Sequence, residues 1–246
     1  MKPAHIMENK LKVLVTGASR GIGRSICARL DDDGYLVVGI ARKRPADWPR
    51  HMNFHSADLS DRDVVRETLA HVAESGPFYG LVNNVGFVPT GTLENVDTLE
   101  LQRAIALNVE VDILCAQALL GGMRSLGHGR IINISSRAAL GKQGRTLYSM
   151  TKAGVIGMTR TWALELAADG ITVNAIAPGP IATEFFQGAN DQNDEATRKL
   201  LTGIPVGRIG QPEDVAHAAA YFMDPRCGFV TGQTHYVCGG ITIGAA

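Results

Sequence analysis

Apolar residues in this chain gather into short runs closed by turn signals, and most runs are followed by a stretch of helical period. A run of four to eight apolar residues bounded by turns reads as a buried strand, while recurrence every three and four residues reads as a helix. Leu11 to Thr16 is the first such run, and a helical pattern follows through Ile26, Ala28 and Leu30. Tyr35 to Ile40 and Met52 to His55 read as the second and third strands, with a helix starting near Asp61. Gly80 opens a fourth strand, Gly129 to Ser135 a fifth, Ile171 to Ala177 a sixth and Gln233 to Val237 a seventh. Thr98 to Leu126 and Tyr148 to Ala168 have helical periodicity, and Gln211-Pro212-Glu213-Asp214 starts a last helix. Pro45 to Arg50 breaks the alternation, because it is short and holds two prolines. A parallel connection usually needs a dozen residues or more, so this second crossover is expected to lack its helix.

Length and charge narrow the possibilities. At 246 residues the chain suits one α/β domain over 1–246, with no repeats, linkers or low-complexity tracts. Lys plus Arg and Asp plus Glu number 24 each, which points to neither nucleic acid nor a membrane surface as partner. The apolar runs look too short to cross a bilayer, and the N-terminus has no signal-peptide core. Cys27, Cys115, Cys227 and Cys238 form no C-x-x-C pair, so a soluble, reduced, cytoplasmic protein is expected. No metal site is expected. Asp31-Asp32-Asp33 opposes its helix dipole and reads as a solvated corner, and the spacing of His51 and His55 does not align them beside a strand.

The glycines carry the first chemistry. Thr16-Gly17-Ala18-Ser19-Arg20-Gly21-Ile22-Gly23 lies between a strand and a helix, the context a dinucleotide fingerprint requires. Glycines let the backbone approach a pyrophosphate, and a helix N-terminus carries about half a positive charge toward it. The second strand ends in Ala41-Arg42-Lys43-Arg44, where an NAD-binding chain usually has an acid for the ribose 2′-hydroxyl. Arg42 with Arg20 suits a 2′-phosphate instead, so NADP is expected over NAD. Asp58, before Leu59, either reaches an adenine ring or caps the next helix.

Tyr148 and Lys152 lie one helical turn apart on one face. A phenol ionises near pH ~10 in water, and a neighbouring ammonium favours the phenolate. Ser136, at the end of an apolar run, suits a hydrogen bond to a carbonyl oxygen that gathers charge during reduction. Residues 182–205 form a long polar insert after the sixth strand, with Phe185 and Phe186 embedded, and read as a substrate lid.

T-G-x-x-x-G-I-G, N-N-x-G, a mid-helix Asn, I-S-S, Y-x-x-x-K and P-G-P-I-x-T occur in this order. Together they resemble the short-chain dehydrogenase/reductase family over nearly the whole chain. Ile204-Pro205-Val206-Gly207-Arg208 and Thr231-Gly232-Gln233 are similar to its 3-oxoacyl-[acyl-carrier-protein] reductase-like branch. The resemblance implies a Rossmann-type doubly wound sheet of seven parallel strands with helices on both faces, and a homotetramer. It also implies roles. Tyr148 is the general acid in reduction, Lys152 lowers its pKa and binds the nicotinamide ribose, Ser136 orients the carbonyl, and Asn108 holds a relay water, with Ser135 the competing serine. Asn84, Gly86, Pro178 and Gly179 would line the cofactor, with Ile181 and Thr183 near the carboxamide.

Three departures from the family pattern stand out. Val85 replaces a small Ala and crowds the cofactor wall, the second crossover is short, and Cys238 stands where Asp is common, so a polar contact is expected to be missing. The activity expected is NADP(H)-dependent hydride transfer with a small or aromatic ketone or secondary alcohol. Reduction of 3-oxoacyl chains on acyl carrier protein and a non-catalytic nucleotide sensor are the alternatives.

Overall fold

The computed structural model describes residues 10–184, 186 and 195–243. Seven strands form one sheet, in the order β3-β2-β1-β4-β5-β6-β7. They are β1 (Lys12–Thr16), β2 (Leu36–Ala41), β3 (Asn53–Ser56), β4 (Gly80–Asn83), β5 (Gly129–Ile134), β6 (Ile171–Pro178) and β7 (Thr234–Val237). Every neighbouring pair is parallel. The helices are α1 (Gly21–Asp32), α2 (Arg62–Glu74), α3 (Thr98–Ile105), α4 (Val111–Leu126), α5 (Thr146–Leu166), α6 (Glu195–Thr202) and α7 (Pro212–Met223).

A sheet covered on both faces needs strands that are largely apolar on both, and β5 and β6 are buried at every position. Successive side chains alternate between faces. Val13 and Val15 of β1 join Ile132, Ile134 and Ile176 against α1 and α7, with Ile26, Leu30, Val215 and Ala219. Leu14, Ile131 and Val173 go to the opposite core, with Val65 and Leu69 of α2, Cys115 and Leu119 of α4, and Ala163 and Leu166 of α5. The chain reverses strand order between β1 and β4, and in such sheets the crevice beyond the strands' carboxyl ends at that point takes the ligand.

The connection from β2 to β3 has no helix, as its prolines require. Trp48 fills the space instead. Its indole Nε1 donates to Met52 O at 3.0 Å, and its ring meets Phe54 edge-on at 4.8 Å. A Cβ on Gly39 would lie 2.6 Å from that ring, so β2 has no side chain there.

Three expectations change. The helical stretch from Thr98 to Leu126 is not one α-helix, because Ala106–Glu110 forms a π turn between α3 and α4. Contrary to the expectation that no run suffices, this 29-residue stretch is long and apolar enough to cross a membrane by length and composition. Its own Ala104, Val111, Cys115, Leu119 and Met123 are buried against the fold, as in a core helix. Asp61, not Asp58, caps α2, accepting from the Asp63 and Val64 amides.

Candidate active site

The glycine loop is shaped by contacts that only glycine permits. Gly17 and Gly21 have φ of 65° and 53°, a region L side chains rarely adopt. A Cβ on Gly23 would lie 2.3 Å from Gly17 O and 2.4 Å from Asn84 Nδ2. Thr16, fully buried, ties this loop to the end of β4. Its Oγ1 accepts from the Asn84 and Val85 amides at 2.9 and 3.1 Å, while Asn84 Nδ2 donates to Thr16 O at 2.9 Å. The N-terminus of α1 has no side-chain cap and no acid in its first turn. Its leading N–H groups are therefore available to a ligand's phosphates, so the loop fits a dinucleotide.

A cleft of about 1570 Å³ runs along the carboxyl ends of the strands. Gly17, Ser19, Arg20, Gly21, Ile22 and Gly23 line it, as do Arg42, Asp58, Leu59, Asn84, Gly86, Ser136, Tyr148, Lys152, Pro178, Gly179, Ile181 and Thr183. Every residue expected at the site lines this cleft except Asn108. Arg42, Lys43 and Arg44 stand at its outer end. Arg20 is ion-paired with Glu184 across the glycine loop, so it is already engaged by a carboxylate. Asp58 accepts from the Ser60 amide and hydroxyl at 3.0 and 2.8 Å, and those bonds hold its carboxyl below the usual range. Phe185 lies outside the described residues, whereas Phe186 lines the cleft.

At the inner end the serine ambiguity is resolved by geometry. Ser135 is buried and donates to Lys152 O at 2.7 Å. Ser136 faces the cleft, accepts from Ala138 N at 3.1 Å and hydrogen-bonds the Tyr148 phenol. Burial pushes that phenol up to about 12, against the pull of Ser136 and of the Arg145 charge. Lys152 Nζ donates to Ile134 O at 2.7 Å, and its charge faces Asp112.

Asn108 is fully buried in the π turn. Its Oδ1 accepts from Phe87 N at 2.7 Å, and its Nδ2 donates to Phe87 O and Thr151 Oγ1 at 2.9 and 3.0 Å. The side-chain amide clamps the Phe87 turn to α5, and both its N–H groups are committed. A Cβ on Gly86 would fall 3.4 Å from Asn108 Oδ1 and 3.7 Å from Lys152 Nζ, so this glycine brings the turn against both.

Asp112 was not anticipated. It is buried on α4, its Oδ1 has no hydrogen-bond partner, and burial pushes its carboxyl up to about 7 against the pull of the Lys152 ammonium. The only trace in the sequence is an acid four residues after Asn108 in an apolar helix. The Cys238 expectation is also corrected: its thiol contacts Thr242 Oγ1 at 3.2 Å, so a polar contact is retained. Val85 packs against the α2–α4–α5 core and also lines the cleft, beside Asn84 and Gly86.

An uncapped helix behind a glycine loop, facing Ser136, Tyr148 and Lys152 across one cleft, defines a dinucleotide-dependent dehydrogenase or reductase. A family model described as enoyl-(acyl carrier protein) reductase matches residues 17–242. The chain is 36% identical over 237 residues to (2S)-[(R)-hydroxy(phenyl)methyl]succinyl-CoA dehydrogenase subunit BbsD of Thauera aromatica, covering 92% of this chain and 94% of that protein. It is also 36% identical over 243 residues to 3-oxoacyl-[acyl-carrier-protein] reductase FabG of Vibrio harveyi, covering 96% and 98%. The solved structure of ElxO with NADP bound superposes with a TM-score of 0.86 at 29% identity, over 94% of this chain and 98% of that one. The chain belongs to the short-chain dehydrogenase/reductase family, in its 3-oxoacyl-[acyl-carrier-protein] reductase-like branch. It is an NAD(P)-dependent oxidoreductase acting on CH–OH groups and the corresponding ketones.

Proposed function

We propose that this enzyme catalyses reversible NADP(H)-dependent hydride transfer with a free small or aromatic ketone or secondary alcohol. The observation that carries this reading is the convergence of Ser136, Tyr148 and Lys152 in a cleft whose far end is basic. The dinucleotide, when bound, supplies or accepts the hydride. Ser136 holds the carbonyl oxygen as charge develops on it, and Tyr148 Oη delivers the proton that completes the alcohol. Lys152, held by Ile134 O and opposite Asp112, is placed to bind the nicotinamide ribose. Any relay water at Asn108 meets the backbone of the π turn, since the side-chain N–H groups are spent on Phe87 and Thr151.

Arg42, with no acid at the end of β2, supports NADP. Bound NADP in the similar ElxO structure agrees with it. The rim supports a free substrate. An acidic carrier protein needs exposed basic residues for capture. Arg124 is paired with Asp169 at 2.7 Å, and Arg130 is buried, donating to Gly129 O and Pro225 O at 2.8 Å each. We assign residues 1–246 to one domain with a lid at about 182–205, where Phe186 and Leu200 line the cleft. A homotetramer suits the exposed Met150 and Leu164 of α5.

A screen of ketones and alcohols with both cofactors tests the reading, together with an acetoacetyl thioester on acyl carrier protein. NADPH should be preferred by about 10–10²-fold, since the charged hydrogen bond from Arg42 contributes about 1.5–3 kcal/mol. Arg42→Asp should reverse the preference. Equal use of NADH refutes the cofactor assignment, a strong preference for the carrier-bound thioester restores the fatty-acid role, and no turnover at all favours a nucleotide sensor.

A further inference from the structure

Behind the wall of the cleft lies an acid to which hydride transfer assigns no task. Asp112 stands near the start of α4, is 1% exposed and does not line the cleft. It follows Asn108 by four residues, where the π turn runs into α4. Asn108 Nδ2 reaches across to Thr151 Oγ1 at 3.0 Å, and the next residue of α5 is Lys152. Asn83, at the end of β4, donates from Nδ2 to Asp112 O at 3.4 Å and to Asn133 Oδ1 at 2.8 Å. The backbone of Asp112 is thereby held, but its carboxyl is not, since Oδ1 has no hydrogen-bond partner. A dehydrated carboxylate with an empty oxygen is unfavourable unless a positive charge offsets it.

Among the described residues that positive charge is Lys152. The other elements packed on α4 present neutral or paired groups. On α4 itself, burial keeps the Cys115 thiol protonated. Glu110 of the π turn is ion-paired with Arg62 of α2, and His71 of α2 with Glu74. β4 and β5 offer the amides of Asn83 and Asn133, while Arg130 of β5 donates to Gly129 O and Pro225 O. On α5 the Tyr148 phenol, pushed up to about 12, carries no charge near neutrality. Lys152 is nearly as buried, at 3% exposed, yet it lines the cleft. An ammonium has three donors, and one goes to Ile134 O at 2.7 Å. Gly86, with no side chain to fill the space 3.7 Å from Nζ, leaves the others open to the cleft. Burial draws this ammonium toward the neutral amine, and Asp112 opposes the loss of its proton.

We propose that Asp112 is a positioning residue that keeps Lys152 an ammonium, so that the nicotinamide ribose is held by charge-assisted hydrogen bonds. This rests on the placement of Lys152 against that ribose given above, and it concerns the half of the dinucleotide that NADH and NADPH share. Asp112 acts only through Lys152. Charge-assisted hydrogen bonds are roughly twice as strong as neutral ones, so an amine in the same place would hold the ribose less well. The carboxyl titrates at about 7, against burial and with the help of Lys152, so its effect depends on pH. Well below that value the acid is as neutral as an asparagine. Well above it the unmodified protein has a carboxylate facing Lys152, and an asparagine variant has none.

The test is the dissociation constant of NADPH and of NADH, by fluorescence titration from about pH 5.5 to 9, for the unmodified protein and Asp112→Asn. The quantity read is the ratio of variant to unmodified protein, in which titration of the cofactor's own phosphates cancels. It should stay within about twofold at the acid end and rise to about tenfold or more at the alkaline end, the scale of one charged hydrogen bond. Asp112→Ala, which removes the charge and the oxygens together, should show the same rise. A ratio raised equally at every pH would give Asp112 a purely structural part and overturn the proposal, and so would a ratio near one throughout. Equal affinity for NADH and NADPH would overturn the choice of NADP alone, because both dinucleotides report on the same ribose.

Discussion

Thr16→Val isolates what one hydroxyl does for the cleft. Thr16 ends β1 with its side chain fully buried, and valine copies its shape, so the substitution leaves no cavity. What it removes is the acceptor for the amides of Asn84 and Val85, at 2.9 and 3.1 Å. Each orphaned N–H costs up to about 1–3 kcal/mol, so the two together cost at most about 2–6 kcal/mol. For a chain of this size each kcal/mol lowers Tm by roughly 2–4 °C, which puts the expected shift in the range of about 4–24 °C. The damage falls where the glycine loop meets the end of β4, so NADPH affinity should weaken in parallel. Urea unfolding and NADPH fluorescence titration measure the two effects. Thr16→Ser keeps the oxygen and should recover most of both. A valine variant within about 0.5 kcal/mol of the unmodified protein would show that the two amides find other partners, and the reasoning would be refuted.

Tyr148→Phe should lower turnover by about 10²–10⁴-fold while leaving NADPH binding nearly intact, and near-normal rates would remove Tyr148 from the proton path. The phenol lies at about 12 in the protein, so alcohol oxidation, which needs phenolate, should accelerate as pH rises through the neutral range. Ketone reduction, which consumes the phenol proton, should show no such rise. A flat oxidation profile with chemistry rate-limiting would contradict the assignment. The cysteines supply a structural check. Burial pushes Cys27 up to about 12 and raises Cys115, and both are fully buried. Iodoacetamide should label these two only on unfolding, and rapid labelling of the native protein at neutral pH would show that the helices around them open readily.

Features with strong local signals were legible before any coordinates. β5 and β6 are buried at every step because both faces of the sheet are covered, so their largely apolar runs stand out from the loops around them. The glycine loop was legible because Gly17, Gly21 and Gly23 answer backbone demands that no other residue meets. Arg42 was visible as a missing acid. Features set by distant partners were hidden. The π turn at Ala106–Glu110 leaves the helical period nearly undisturbed, so Thr98 to Leu126 reads as one helix. The direction of Lys152 depends on Ile134 O and on Asp112 from another helix, which no spacing within Y-x-x-x-K conveys. Asp58 and Asp61 compete for one helix end in the sequence, and only the fold shows which amides each oxygen meets.

The indole that replaces a helix between β2 and β3 has a spectroscopic consequence. Trp48 is one of only two tryptophans in the chain and is almost wholly shielded from solvent. The Arg24 guanidinium rests over its ring at 4.7 Å, and Arg24 also lines the cleft beside the glycine loop. A cation over an indole perturbs its excited state, and a phosphate arriving nearby competes for that cation. The emission of Trp48 is thereby coupled to occupancy of the cleft, and the protein carries an intrinsic optical gauge of dinucleotide binding that needs no label and no substrate.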